Sequence, residues 1–172
     1  MDKKKEIRTQ RLVLRSLSDS DKEDMLCLLK DPKIKATYMI PDLENKEQED
    51  KLFNRLKEVS DSNEHFAYGV YLKDKVIGYL NDVEKNEEEI EVGYFISSKE
   101  WNKGYATEIL SVAIKELFNL GYKRVNAGHF VCNPASGRVM QKCGMKIINK
   151  TEKITYRGVE HDVIYYQITN KN

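Results

Sequence analysis

The apolar positions of the chain change period several times, and each change marks an element. In "RLVLRSL" (Arg11 to Leu17) Leu12, Leu14 and Ser16 alternate with Val13, Arg15 and Leu17, the period of two that predicts a first strand. "SDSDKEDMLCLLKDP" follows. Ser18 with Asp21, or Ser20 with Glu23, supplies a capping box, Met25, Leu26, Leu28 and Leu29 an apolar side, and Pro32 the stop of a first helix. A second, more charged helix is predicted from near Asn45, with Leu52, Phe53, Leu56 and Val59 as its buried stripe. The period returns to two through "FAYGVYL", a Lys73-Asp74 turn, "KVIGYLNDV", the acidic loop "EKNEEE" and "IEVGYFIS", an antiparallel meander of three strands. From about Lys103 to Leu120, Ala106, Ile109, Leu110, Ala113, Ile114 and Leu117 share one helical face, ended by Gly121. "RVNAGHFV" reads as a strand and "NPASGRVMQKCG" as a short helix with Asn133 as N-cap, Pro134 at its first position and Gly144 past its end. "KITYRGVEHDVIYYQIT" closes the chain as a hairpin turning near Arg157-Gly158.

This order predicts an α+β fold of the mixed three-layer kind: a central twisted mixed sheet of about seven strands flanked by about four helices. A strand-helix-strand unit in the second half (90–97, 103–120, 124–131) requires a parallel pair with a right-handed crossover. Ligands of such sheets gather at the carboxyl ends of strands, where a helix begins. No repeat, linker or low-complexity tract interrupts the 172 residues, so a single domain, 1–172, with one core is expected.

Composition then removes function classes. Lys+Arg 29 against Asp+Glu 28 leaves a formal charge of +1, too little for a global field that draws nucleic acid or anionic lipid. "MDKKKEIRTQ" has no apolar core of a signal peptide and no apolar run approaches the ~18 residues of a span, so a cytoplasmic protein is expected. Cys27, Cys132 and Cys143 are odd in number and lack a CxxC pair, the pattern of reduced, largely packing residues. His65, His129 and His161 are far apart without HExxH spacing, and no metal is implied.

One stretch carries chemistry: "SSKEWNKGYATEIL", Ser97 to Leu110, between the last meander strand and the long helix. A helix start leaves four N–H groups free and about half a positive charge, enough to hold a phosphate by backbone alone. Gly104 and Ala106 are small enough to let a phosphate approach, Lys103 adds a cation and Thr107 a hydroxyl. Neither GxGxxG nor the Walker pattern fits, because here the lysine precedes the glycine. Taken alone the turn is either such a cradle or a plain helix start with Glu108 near the dipole.

"WNKGYATE" resembles the acyl-CoA pyrophosphate loop of the GNAT N-acetyltransferase superfamily, whose core is Gln/Arg-x-x-Gly-x-Gly/Ala. Trp101 stands where Gln or Arg is commonest, as in the RimJ/RimL-like branch with its frequent Trp-x-Lys-Gly-Tyr-Ala-Thr-Glu, and Asn102 replaces a glycine often found there. The resemblance extends over nearly the whole chain through "TQRLVLRSL", "IEVGYFI", "NPASGRVMQKCGM", with Met145 for the usual Phe, and "RGVEHDVIYYQI". It implies acetyl-CoA as cosubstrate, held at Phe95, Ile96, Asn102, Lys103, Gly104, Tyr105, Ala106, Thr107, Asn133 and Arg138. It also implies direct acetyl transfer in a ternary complex to a primary amine, either a protein α-amino group of the ribosomal-protein type or a small amine or polyamine.

The resemblance assigns roles as well. A bulge around Gly93 to Ile96 would aim backbone N–H groups at the acetyl carbonyl. Glu91, inside the apolar alternation and two residues before Gly93, is the expected base or substrate-orienting carboxylate, while Glu87, Glu88 and Glu89 read as a solvated acidic loop. Ser136 is the expected acid for the departing thiolate or a mere hydrogen-bond partner of the sulfur; Tyr94, Tyr156, Tyr165 and Tyr166 are the other hydroxyls available. Arg138 and Lys142 either meet CoA phosphates or form a solvated basic face. Cys132 and Cys143 lack a paired base, which argues against an acyl-enzyme. The acidic "EKNEEEIE" favours a cationic acceptor. A non-catalytic acyl-CoA-binding or partner-binding module is the competing reading, and a homodimer is expected by analogy.

Overall fold

The computed structural model of the chain describes residues 4–171. Its elements run β1 (Ile7–Arg8), β2 (Leu12–Arg15), α1 (Lys22–Lys30), α2 (Pro32–Lys35), α3 (Lys46–Asp61), β3 (Tyr68–Leu72), β4 (Lys75–Lys85), β5 (Glu89–Ile96), α4 (Tyr105–Asn119), β6 (Arg124–Phe130), α5 (Pro134–Lys142), β7 (Lys146–Tyr156) and β8 (Val159–Thr169). The strands form one mixed sheet in the order β1-β2-β3-β4-β5-β6-β8-β7. The α+β class stands, with eight strands instead of about seven and five helices instead of about four among the described residues. The extra strand is β1, two residues without a readable period that pair Ile7 with Leu14. The extra helix is α2: Pro32 does follow the end of α1, but it also occupies the first position of a new turn whose N-cap is Asp31, accepting from the Lys33 N–H.

By its contacts the chain divides into two compact units. The first runs to Asn81 and includes Tyr94–Tyr105. In it β2 pairs antiparallel with β1 and β3, and β3 with β4 across a turn in which Lys73 takes a φ of 56°. Met25, Leu29, Ile34, Phe53, Tyr71, Tyr79 and Phe95 build its core, and Leu52, Leu56 and Val59 of α3 pack against it as their spacing predicts. Of the two capping boxes open to the sequence, Ser18 with Asp21 forms: Asp21 Oδ2 accepts from the Ser18 N–H and hydroxyl, both at 2.7 Å. It closes a 3₁₀ turn, Asp19–Asp21, ahead of α1. The same oxygen accepts from the buried Tyr71 hydroxyl at 2.7 Å. Burial pushes the Asp21 carboxyl up, but the bonds from Ser18 and Tyr71 and the charge of Arg15 outweigh it, and the net shift is downward.

The second unit holds Asp82–Gly93 and the chain from Ala106 onward. Here β5 and β6 are the parallel pair, registered Glu89↔Arg124, Ile90↔Val125 and Glu91↔Asn126. β8 pairs antiparallel with β6 and β7, and the β7–β8 turn places Arg157 and Gly158 at φ 54° and 75°. Ile109, Leu110, Ala113, Ile114 and Leu117 are the buried face of α4. Its end is a Schellman motif on Gly121 (φ 99°), with Gly121 N–H to Phe118 O at 3.0 Å and Tyr122 N–H to Leu117 O at 3.2 Å. α5 ends in the same way on Gly144. Glu88 and Glu89 are not a free acidic loop, because β6 brings cations to them: Arg124 bonds Glu89 at 2.6 Å and Glu88 at 2.8 Å, and Lys123 bonds Glu88 at 2.5 Å. The cysteines are free, but Cys27 and Cys132 are exposed and not packing residues; Cys143 is half-buried against Ser111.

Candidate active site

The turn that opens α4 is shaped by two left-handed residues. Asn102 has φ 63° and Gly104 φ 81°, while Lys103 between them does not take a positive φ. Asn tolerates that conformation better than other residues with a Cβ, which explains how it stands in for a glycine. Backbone of alternating hand turns successive N–H groups toward one point, the geometry of an anion nest. The nearest atom a Cβ on Gly104 would meet is Arg11 Nη2, at 3.4 Å, so the backbone there is approachable and has a guanidinium beside it. Arg11 donates to the Lys103 carbonyl at 2.9 Å and lies over the Tyr105 ring at 4.5 Å. This donor set of free amides and a planar cation fits a pyrophosphate.

The other residues of the turn are placed less directly. Lys103 Nζ bonds Glu100 at 2.7 Å, so its charge is partnered within the turn. The Trp101 indole N–H donates to the Ile96 carbonyl at 2.8 Å, which ties the turn back to the end of β5. Ser98 donates to Asp31 at 2.6 Å, fixing the preceding 3₁₀ turn to the α1–α2 junction. Ala106 and Thr107 fall in the first turn of α4, and the Thr107 carbonyl accepts from Cys143 Sγ at 3.5 Å. Phe95 and Ile96 are core side chains, 6% and 5% exposed, with Phe95 against Tyr38 and Tyr79. Only their backbone can meet a ligand. Along β5 the buried positions are Ile90 and Val92, then Phe95 and Ile96, so the strict alternation breaks at Gly93 and Tyr94. The close approach that sequence reasoning missed is at Gly78, where a Cβ would stand 2.3 Å from the Phe95 carbonyl oxygen.

In the second unit the chemistry is made by side chains. Glu91 is 16% exposed and faces Lys150 Nζ at 3.6 Å. Burial pushes its carboxyl above the ordinary glutamate range; the Lys150 ammonium opposes this and the carboxylates of Glu84 and Glu152 reinforce it. The buried Tyr165 donates its hydroxyl to Glu152 and presents its ring to Lys150, 3.9 Å from the centroid. Burial first, then that bond and the nearby carboxylates, push the Tyr165 hydroxyl far up, which weakens it as an acid.

At the start of α5 the Asn133 side chain accepts from the Ser136 N–H at 3.4 Å and donates to the Ser136 hydroxyl at 2.9 Å. The hydroxyl is an acceptor in that bond and keeps its own proton to give. Arg138 is exposed. Of the remaining hydroxyls, Tyr166 accepts from Gln141 at 3.2 Å, Tyr156 lies among Phe130, His161 and Arg157, and the oxygen of the half-buried Tyr94 is shielded from solvent. His129 directs Nδ1 at the Phe130 carbonyl, 2.7 Å away, so Nδ1 carries the proton. Its Nε2 lies where a Cβ on Gly137 would be 2.7 Å distant, which is why a helix interior keeps a glycine there. No group of three or more His, Cys, Asp or Glu among the described residues is placed to hold a metal, and no described helix is long and apolar enough to cross a membrane.

A mixed sheet with a parallel β5–β6 pair and a nest-like turn opening the intervening helix defines the class of α+β domain in which that turn can accept a phosphorylated ligand. Residues 11–146 match the acetyltransferase (GNAT) domain, and the chain belongs to that family. It is 25% identical over 168 residues to an uncharacterised N-acetyltransferase, YoaA, of Bacillus subtilis (strain 168), covering 94% of this chain and 95% of that one. Its fold is that of a GNAT-family acetyltransferase from Bacillus anthracis, with a TM-score of 0.81 at 24% identity over 96% of this chain and 98% of the other. A spermidine N-acetyltransferase from Vibrio cholerae, solved with CoA and spermine, superposes with a TM-score of 0.77 at 21% identity, covering 92% of this chain and 95% of that one.

Proposed function

We propose that the protein is an acetyl-CoA-dependent N-acetyltransferase acting on a cationic primary amine by direct attack in a ternary complex. The observation that carries the amine acceptor is Glu91: a half-buried carboxylate, raised by burial, that already faces an ammonium, with Glu84 and Glu152 adding negative potential. Acetyl-CoA, when bound, supplies the thioester carbonyl at which C–N forms and C–S breaks. The amides of Asn102 to Thr107 and the Arg11 guanidinium hold the phosphates. Backbone N–H groups of Phe95 and Ile96, which follow the break in the in–out alternation of β5 at Gly93 and Tyr94, hold the carbonyl oxygen.

An alkyl amine arrives mostly protonated, near pKa ~10.4, and must lose a proton to become a nucleophile. Glu91 takes that proton, directly or through one water, and its raised affinity for protons makes it a better base at neutral pH than an ordinary glutamate. Ser136 gives its hydroxyl proton to the leaving sulfur while Asn133 steadies its oxygen, and regains one, through water, from the nitrogen as the C–S bond breaks and the amide forms. Small amines and polyamines suit the carboxylate patch; a peptide α-amino group is the other acceptor to be tried. The test is thiol release from acetyl-CoA across diamines, polyamines, aminoglycosides, amino acids and peptides with free N-termini, alongside the CoA-induced thermal shift. Turnover on a cationic amine that Glu91→Gln abolishes is expected. CoA binding without turnover on any acceptor would make the chain an acyl-CoA-binding module, and no CoA binding would end the reading altogether.

A further inference from the structure

Strand β7 leaves its regular ladder at one place. Ile147 pairs with Tyr166 and Thr151 with Ile164, so Ile148, Asn149 and Lys150 of β7 stand opposite the single residue Tyr165 of β8. Such a bulge re-aims the side chains it carries. Lys150 is the one that matters: its ammonium lies 3.9 Å from the centroid of the Tyr165 ring and 3.6 Å from Glu91 Oε2. A surface lysine ordinarily keeps its strongly hydrated head in water. This one, although its side chain is 44% exposed, lies on an aromatic face beside a half-buried carboxylate. The Tyr165 hydroxyl is held by Glu152, which fixes the ring in place.

We infer that Lys150 is a tethered ammonium that occupies the acceptor's place beside Glu91, and that its displacement by the acceptor's own ammonium determines which amines are accepted. This rests on the reading of Glu91 as the acceptor's carboxylate. An alkylammonium and the lysine head are the same chemical group, and like charge keeps both from sharing one carboxylate and one ring. The tether gives Lys150 a high effective concentration, so a simple monocation competes poorly. An amine with a second cationic group draws on Glu84 and Glu152 as well and displaces it. In the resting protein the Lys150 ammonium also draws the Glu91 carboxyl down against the upward pull of burial, Glu84 and Glu152.

The wild type, Lys150→Met and Lys150→Arg are compared at constant ionic strength. In lysine side-chain NMR of the full chain, the Lys150 methylene next to Nζ is shifted upfield by the Tyr165 ring. Titration with propylamine and with spermidine, both protonated at neutral pH, relieves that shift, spermidine at the lower concentration. In steady state, Lys150→Met lowers the KM for propylamine roughly three- to tenfold, the worth of a partly exposed ion pair and its ring contact, and moves the acid limb of the pH profile upward. Lys150→Arg behaves as the wild type. A Lys150 resonance unmoved through both titrations, or a propylamine KM unchanged or raised in Lys150→Met, overturns the inference. If no amine is turned over, the acetyl-transfer reading falls by itself and the NMR titration still decides this one.

Discussion

The turn at Trp101 to Thr107 and the patch around Glu91 solve opposite problems with opposite materials. The turn is made of backbone: its shape comes from the φ of Asn102 and Gly104, and its lysine is tied up by Glu100. The patch is made of side chains on four strands, Glu84 and Glu91 against Lys150 and Tyr165, and the β7 backbone departs from its ladder at one bulge. A multiply charged phosphate is met by many weak, preoriented amides that need no proton. A proton acceptor has to be a single group whose affinity is set by its neighbours. Substitutions should therefore act through conformation in the first region and through charge in the second.

The largest effect is expected in the second. Glu91→Gln lowers kcat/KM by about 10²- to 10⁴-fold, the usual contribution of a general base, with little change in CoA affinity. The raised Glu91 carboxyl works only when ionised, so the rate of the wild type falls as pH drops through a value above the ordinary glutamate range; in Glu91→Gln that limb disappears from the pH profile. Next comes Gly104→Glu, which puts a side chain and an anion at a left-handed position. It weakens CoA binding, read by calorimetry, by on the order of a hundredfold or ~3 kcal/mol, while circular dichroism stays unchanged. Normal CoA affinity in that variant would mean that the backbone of this turn does not hold the phosphates.

Two smaller effects sharpen it. Asp21→Asn, far from either region in role, costs about 1–3 kcal/mol in urea unfolding through its buried bonds to Tyr71 and Ser18. Because the folded Asp21 has the lower pKa, its contribution is complete above the unfolded value of ~3.9 and is lost as pH falls through the folded one, so the variant loses that part of the acid sensitivity. Lys103→Ala is the mildest. With its ammonium already on Glu100, removing it changes CoA affinity by less than about threefold. A large loss there would show that side-chain charge, not backbone shape, holds the phosphates.

Much of this was legible beforehand because it is local. The helix start near Asn45, the Asn133 cap, the Gly121 and Gly144 stops, and the Lys73 and Arg157-Gly158 turns are all decided within a few residues, and the structure shows each. What stayed hidden is what distance along the chain conceals. Arg11 reaches Lys103 across 92 positions, although the motif "TQRLVLRSL" that carries it was visible. Gly78 sits in an ordinary-looking strand, and only the approach of the Phe95 carbonyl shows why a side chain is forbidden there. The pairing of Glu91 with Lys150 needs a bulge in β7 that no periodicity announces, since "KIINKTEKITY" alternates poorly throughout.

Strand β7 is also the last strand of the sheet, so one of its sides has no neighbouring strand among the described residues. An open edge of eleven residues is a template on which a second chain can add by backbone bonding. Lys146, Lys150 and Lys153 and the interrupted register spoil it: the charges repel an approaching copy, and the two extra residues break the spacing a new strand would need to follow. The irregularity that lays Lys150 on the Tyr165 ring thus also makes this edge a poor template for strand addition.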